Sequence, residues 1–158
     1  MTDTPLPAFP CAAEPYLPHA APMALVDQII RHESGQLESA VHIGDQHLFM
    51  TEAGVPVWVA VEFMAQSIAA YAGVQAVRRG EPVRIGFLVS TRQMNCAVDF
   101  FERGSDLRVF VREVVMAENG LATFDCSVQL QGRDCVSARI NVFQPADPDA
   151  FLRSGVMA

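Results

Sequence analysis

The stretch HLFMTEAGVPVWVAVEFMAQSIAAYAG, residues 47–73, carries the longest helical pattern of the chain, with one acidic residue inside it. Apolar and small residues follow the turn Gly54-Val55-Pro56 almost without a break. This pattern predicts a helix over residues 57–79, which ends at Gly80 with Pro82 just beyond. Because the pattern is apolar on nearly every side, the helix is expected in the protein interior.

Strand patterns lie on both sides of this helix, two before it and four after it. In chain order the predicted strands cover residues 23–31, 36–43, 83–93, 106–118, 121–131 and 135–143. Asn119-Gly120 is a hairpin turn signal between two of them. A single helix is shielded from water only if the sheet curls around it. We therefore predict an α+β hotdog fold, a long central helix wrapped by a curled antiparallel sheet of about six strands.

Length and composition indicate one domain. The chain has 158 residues, of which 51% are hydrophobic, enough for a sizeable core. We expect a flexible Pro-rich lead over residues 1–15, a hotdog domain over 16–145 and a tail over 146–158. Four cysteines without metal-site spacing indicate reduced thiols in a cytoplasmic protein. Neither a signal peptide nor an apolar run long enough to span a membrane is expected.

The charged residues exclude several functional classes. The net charge is −7, and all 11 basic residues are arginines. A chain without lysine has neither a Schiff-base lysine nor a Walker-type phosphate loop. An acidic chain without a basic stripe also argues against nucleic acid as a partner.

Glu62 is the acidic residue inside the apolar helix. One interpretation is structural, since a carboxylate near a helix start interacts favourably with the helix dipole. The other is functional: Gln66 lies one turn further on, so a carboxyl and an amide share one face of a mostly buried helix. Such a pair indicates a polar site that suits proton transfer.

Several motifs resemble the 3-hydroxyacyl-acyl-carrier-protein dehydratases of the hotdog superfamily. They are VEFMAQ at 61–66, YLPHAAPMALVDQI at 16–29, GFLVSTRQMNCAV at 86–98 and ERGSDL at 102–107. The resemblance covers most of residues 16–143. GVPVWVAVEFMAQSIAAYAG together with GEPVRIGFLVSTR further resembles the dehydratase subgroup associated with aryl polyene pigment clusters.

The resemblance implies a histidine base and a carboxyl acid. Glu62 matches the family's acid. For the base we favour His47, 15 residues before Glu62, although the family motif His-Phe-Pro-Gly is reduced here to His-Leu-Phe-Met. His19 is the competitor, because it matches the family's Leu-Pro-His opening. His32 and His42 are expected to face solvent.

The resemblance also implies a binding site for the substrate and its carrier. Gln66 matches the family's supporting glutamine, and Val57 replaces the glycine whose N–H polarises the thioester carbonyl. Trp58 is either a core anchor or a stacking surface for substrate. Arg84 and Arg92 are candidate contacts for the phosphate of a 4'-phosphopantetheine arm on an acyl carrier protein. No other cofactor and no metal is expected.

Three functions remain open on the sequence alone. The first is dehydration of a 3-hydroxyacyl thioester in a fatty-acid-like or polyene biosynthesis. The second is hydrolysis of an acyl thioester on the same fold. The third is a non-catalytic subunit that supports a sister dehydratase in a mixed hotdog dimer. A homodimer or such a hetero-complex is expected, since pairing sheet edges removes an exposed edge strand.

Overall fold

The chain folds as one long helix against the inner face of a curled antiparallel sheet. This computed structural model describes residue 5 and residues 8–155. The central helix, α1, spans Ala60–Arg78 and follows a 3-10 turn at Val57–Val59. A second 3-10 turn covers Glu14–Tyr16, and a short helix, α2, covers Pro148–Arg153.

The described part of the chain has nine strands. Their bounds are β1 Cys11–Ala12, β2 Gln28–Glu33, β3 Gln36–His42, β4 Val55–Pro56, β5 Phe87–Cys96, β6 Phe100–Phe101, β7 Asp106–Met116, β8 Leu121–Leu130 and β9 Arg133–Phe143. Seven form one sheet in the order β1-β2-β3-β7-β8-β9-β5, and β4 pairs with β6 separately. The hotdog prediction is confirmed, with seven strands in the main sheet instead of six.

The chain ends carry more structure than their composition predicts. Cys11–Ala12 pairs with β2, and Ala13 is fully buried, so the predicted flexible lead is wrong from residue 11 onward. The rest of that lead includes residues 1–4, 6 and 7, which lie outside the described part of the chain. In the tail, the Asp147 carboxylate accepts a hydrogen bond from the Ala150 N–H and begins α2. Residues 156–158 also lie outside the described part.

Two predicted strands begin later than their patterns indicate. β2 starts at Gln28 instead of residue 23, because backbone groups in residues 23–25 bond to a side chain of α1. β5 starts at Phe87 instead of residue 83. Phe87 pairs with Phe143, the last residue of β9, so residues 83–86 have no strand opposite them.

α1 forms the core of the molecule, and its apolar character reaches all sides. One segment, Val57–Arg78, has 22 residues and a mean hydropathy of 1.4, so it is long and apolar enough for a membrane span by length and composition alone. In the fold, however, 61% of its most apolar window is buried inside the protein. Its composition is therefore that of a core helix covered by a sheet.

Gly73 allows the N-terminal 3-10 turn to approach α1 closely. A Cβ added at Gly73 would lie 2.0 Å from the carbonyl oxygen of Tyr16. That separation is far inside contact distance, so any side chain here would push the turn off the helix. The segment that follows Tyr16 carries His19 and depends on this close contact for its position.

A buried polar cluster joins α1 to the β2–β3 hairpin. The Tyr71 hydroxyl donates to Glu113 at 2.9 Å and accepts from the Gly35 N–H at 3.2 Å and from Gln75 at 3.0 Å. The His32 ring stacks on Tyr71 with centroids 5.4 Å apart, and its Nε2 atom is buried. The expectation that His32 faces solvent is therefore wrong, whereas the side chain of His42 is 57% exposed.

The buried position of His32 predicts that the stability of the fold depends on pH. Burial lowers the pKa of His32 below its ordinary 6.5, and the nearby charge of Arg78 lowers it further. Between the lowered pKa and about 6.5, the unfolded chain binds a proton that the folded chain does not. The free energy of unfolding should therefore fall as the pH drops below about 6.5, and His32→Gln should reduce that slope.

Urea unfolding of both proteins between pH 7.5 and 5.0 measures this slope. The Asp125 carboxyl has its pKa lowered from 3.8 by its hydrogen bond to Arg139, so its contribution is lost only at more acidic pH. His47, whose pKa is lowered by burial, adds to the slope with the same sign and remains in the variant. Identical slopes for the wild type and His32→Gln would contradict the assignment to His32.

Candidate active site

Gln66 organises the region where the helix meets the N-terminal segment. Its side chain is fully buried. The amide oxygen accepts a hydrogen bond from the Leu25 N–H at 2.7 Å, and the amide nitrogen donates to the Met23 carbonyl at 2.7 Å. The same nitrogen donates to Glu62 Oε1 at 3.0 Å. One amide therefore positions both the Glu62 carboxyl and the chain segment that passes over it.

His19 lies beside Glu62. The Met23 and Ala24 N–H groups both bond to the Ala20 carbonyl, a turn directly after His19. The Nε2 atom of His19 is 3.9 Å from Glu62 Oε1, and the side chains of His19 and Glu62 are 31% and 37% exposed. This separation exceeds a direct hydrogen bond, and both groups stay accessible to a small reactant.

An apolar cavity of about 340 Å³ opens at this pair and runs along α1. Its volume is at the lower end of the range for small-molecule sites. Apart from the two polar groups, its walls are chiefly apolar. They include Ala65, Ile68, Ala69, Tyr71 and Ala72 from α1, Ile85, Phe87 and Leu88 from the start of β5, and Met116, Ala122, Phe124, Val142 and Phe143 from the sheet. One wall is thus the small-residue face of the helix, and the other contains aromatic rings.

His47 does not line this cavity. Its ring packs edge-on against Phe63, with centroids 5.8 Å apart. Its Nδ1 atom accepts a hydrogen bond from the Phe49 N–H at 3.2 Å, so a neutral ring carries its proton on Nε2. Nε2 is buried and has no partner among the described residues. The histidine favoured by spacing therefore lies outside the cavity that holds Glu62 of the same chain.

The predicted carbonyl-binding group is also engaged elsewhere. The Val57 N–H donates to the Asp99 carbonyl at 2.9 Å, which contradicts its assignment as a free donor for substrate. Trp58 is 62% exposed and contacts Phe49, so it is not a core anchor. Neither residue lines the cavity.

The two arginines predicted to bind phosphate occupy different positions. Arg84 lies at the cavity wall, where its guanidinium is 3.5 Å from the Ala146 carbonyl. Arg92 is exposed on β5 and is not part of the wall. Of the predicted site residues, the structure thus places Glu62, His19 and Arg84 around one cavity, and Gln66 hydrogen-bonds to Glu62 from behind its wall.

Some features of the site leave little trace in the sequence. Met23 and Leu25 act through their backbone groups, which no residue pattern reveals. The alanines at 65, 69 and 72 do follow a helical spacing, but the same spacing would fit strands packed closely against the helix. Only the fold shows that this face borders a cavity.

A protein-family model for ApeP-like proteins, described as ApeP dehydratase, matches residues 11–153. The chain belongs to the ApeP-like dehydratase family. The resemblance to dehydratases of the aryl polyene type is thereby confirmed, and so is the assignment of the chain as a dehydratase. The match extends from β1 to α2 and includes His19, Glu62 and Gln66.

Solved structures share the fold of this chain. The dehydratase heterocomplex ApeI:P from Xenorhabdus doucetiae matches with a TM-score of 0.85 and 28% identity, over 92% of this chain and 98% of that chain. The smu.793 protein of Streptococcus mutans, bound to acetyl CoA, matches with a TM-score of 0.57 and 12% identity, over 73% and 86%.

The smu.793 match and a further one show the fold alone. A hypothetical thioesterase of Streptococcus pneumoniae, solved with coenzyme A, has a TM-score of 0.55 and 14% identity, over 73% of this chain and 83% of that chain. The comparison with curated proteins gave no match. The family membership therefore rests on the ApeP-like model and the heterocomplex.

Proposed function

We propose that this ApeP-like dehydratase removes water from a 3-hydroxyacyl thioester carried on an acyl carrier protein. The observation that carries the proposal is the His19–Glu62 pair, 3.9 Å apart at the opening of an apolar cavity. Two proton-transfer groups at this separation can act on neighbouring carbons of one substrate. The cavity then accepts the acyl tail, which carries no charge.

His19 serves as the base and Glu62 as the acid. His19 Nε2 takes a proton from C2 of the substrate, and the C–H electron pair forms the C2=C3 double bond. The C3–O bond breaks, and the leaving hydroxyl takes the proton of the Glu62 carboxyl and departs as water. The resulting imidazolium and carboxylate stabilise each other until the proton returns to Glu62. Gln66 keeps Oε1 of Glu62 in place by its hydrogen bond of 3.0 Å.

The carrier arm approaches the exposed side of the same pair. Arg84 at the cavity wall is a candidate contact for the arm's phosphate, since a guanidinium pairs well with phosphate oxygens. Arg92 on the exposed face of β5 is a candidate contact for the acidic carrier surface. The reaction as written requires no cofactor beyond the pantetheine arm.

Glu62→Gln tests the proton donor. The amide has nearly the same size as the carboxyl and can still accept the hydrogen bond from Gln66, but it cannot deliver a proton. We expect enoyl-thioester formation to fall by about 10²–10⁴-fold, with unchanged thermal stability. Ultraviolet absorbance of the enoyl product, with a thiol assay for hydrolysis, measures the rate and separates dehydration from thioesterase activity.

The matched control for this variant is Glu52→Gln, on an exposed loop residue away from the cavity. This control should keep the wild-type rate. Activity of Glu62→Gln within a few-fold of wild type would leave Glu62 a structural residue. Release of free thiol without enoyl product would favour the thioesterase alternative.

His19→Ala and His47→Ala decide which histidine is the base. If His19 is the base, its loss should lower kcat by about 10²–10⁴-fold. His47→Ala should then lower stability more than kcat, because the ring fills space beside Phe63. Both variants are assayed with one 3-hydroxyacyl carrier substrate and melted in parallel.

The opposite result would return the base to His47, contributed across a subunit interface. A wild-type protein that is inactive alone, with neither variant affecting a reconstituted complex, would favour a non-catalytic subunit. The outcomes thus identify the base of a dehydratase or favour the non-catalytic subunit.

We further propose that β5 joins a second hotdog subunit, either a copy of this chain or a sister dehydratase. β5 is ten residues long and stands at the edge of the sheet, where β9 is its one partner strand among the described residues. Val89 in this strand is 53% exposed. A long edge strand with exposed Leu88 and Val89 favours pairing with another strand, and the similar ApeI:P structure is itself a heterocomplex.

Val89→Lys tests this edge, since a lysine would place an unpaired charge in the interface. We expect light scattering to show a dimer for wild type, alone or with the co-expressed sister subunit, and a monomer for the variant. Val114→Lys, at a residue 41% exposed on β7, is the matched control and should leave assembly intact. A wild-type chain that stays monomeric under both conditions would contradict the proposal.

A further inference from the structure

Three alanines of α1 form one wall of the cavity. Ala65, Ala69 and Ala72 occupy one face of α1 at spacings of four and three residues, and all three line the cavity. Their side chains end at Cβ, so Ile68 is the one larger helix side chain that lines the cavity between Glu62 and Tyr71. A larger side chain at the middle position, Ala69, would fill the cavity there.

The far end of the cavity is a wall of two aromatic rings. Tyr71 and Phe124 both line it, and their rings meet edge to face with centroids 5.7 Å apart. The Tyr71 ring also stacks against His32, and its hydroxyl has three hydrogen-bond partners, Glu113, Gln75 and the Gly35 N–H. A ring fixed on its face and at its tip cannot swing aside easily, so this wall is rigid.

We infer that Ala69 and the Tyr71–Phe124 wall set the length of acyl tail that the dehydratase accepts. This inference rests on the proposed function of the cavity. Tyr71 is nine positions after Glu62 on the helix, which corresponds to a rise of about 13 Å. An extended chain advances ~1.3 Å per carbon, so roughly eight to ten carbons beyond the reacting centre reach the wall.

Carbons beyond that length are not buried in the cavity. A longer tail must turn towards the side opening, where Ile85 and Met116 are 47% and 52% exposed. Each buried methylene should raise kcat/KM roughly three- to fourfold, whereas a carbon outside the cavity adds little. A plot of log kcat/KM against chain length should therefore rise and then level off at the wall.

The test uses 3-hydroxyacyl carrier substrates with acyl chains of about four to sixteen carbons, in steps of about two carbons. This series spans the chain length at which the tail should reach the wall. Ala69→Leu should move the levelling point to shorter chains and reduce kcat/KM for the longest substrates by about tenfold or more, while the four-carbon substrate is converted at nearly the wild-type rate. Phe124→Leu should move the levelling point to longer chains. Ala53→Leu, on an exposed turn, is the matched control and should leave the profile unchanged.

The outcomes separate this inference from the proposed function. A wild-type protein that converts no substrate of the series, alone or with its sister subunit, contradicts the proposed function itself. An active protein whose profile keeps its levelling point in Ala69→Leu overturns the length limit, and so does an equal loss at every length. If Phe124→Leu fails to fold in a thermal melt, Ala69→Leu alone decides the question.

Discussion

The hydrogen bonds of one buried amide determine how this molecule is arranged around its candidate site. Gln66 bonds to Leu25, Met23 and Glu62, and each of these contacts is 3.0 Å or shorter. An unsatisfied buried polar group costs about 1–3 kcal/mol, so displacing residues 23–25 would leave the amide and two backbone groups unpaired. The amide thereby holds the N-terminal segment on the helix and delays the start of β2. The position of His19 beside Glu62 follows from that constraint.

The sequence predicts the parts of the fold that depend on local patterns. The alternation of β3, the hairpin between β7 and β8 and the apolar length of α1 can all be recognised without coordinates. The starts of β2 and β5 cannot, because they depend on contacts between distant segments. Gln66 and Leu25 are 41 residues apart in the chain, and the partner of Phe87 is Phe143. The two-residue strand β1 is too short to show a period of its own.

In the candidate site, too, local sequence geometry predicts some contacts, whereas others depend on the fold. Glu62 and Gln66 are four residues apart on one helix, so helical geometry alone predicts that they meet. His19 is 43 positions from Glu62, and only the folded chain brings it there. His47 is closer in sequence, but the turns of the intervening loop place its ring against Phe63. Val57 is at a suitable sequence separation from Glu62, but its N–H donates a hydrogen bond to the Asp99 carbonyl.

The two proposed proton-transfer groups, His19 and Glu62, lie in one chain, so the proposed reaction does not depend on subunit assembly. On the proposed mechanism, a partner subunit need not supply the base. The cavity wall nevertheless includes Leu88, from the same strand β5 whose outer edge is unpaired, and its rim at Ile85 and Met116 is exposed. A subunit that pairs with β5 would cover part of this rim and withdraw apolar surface and bound acyl chain from water together. Assembly would then strengthen substrate binding through burial, since the free energy gained grows with the apolar area removed from water.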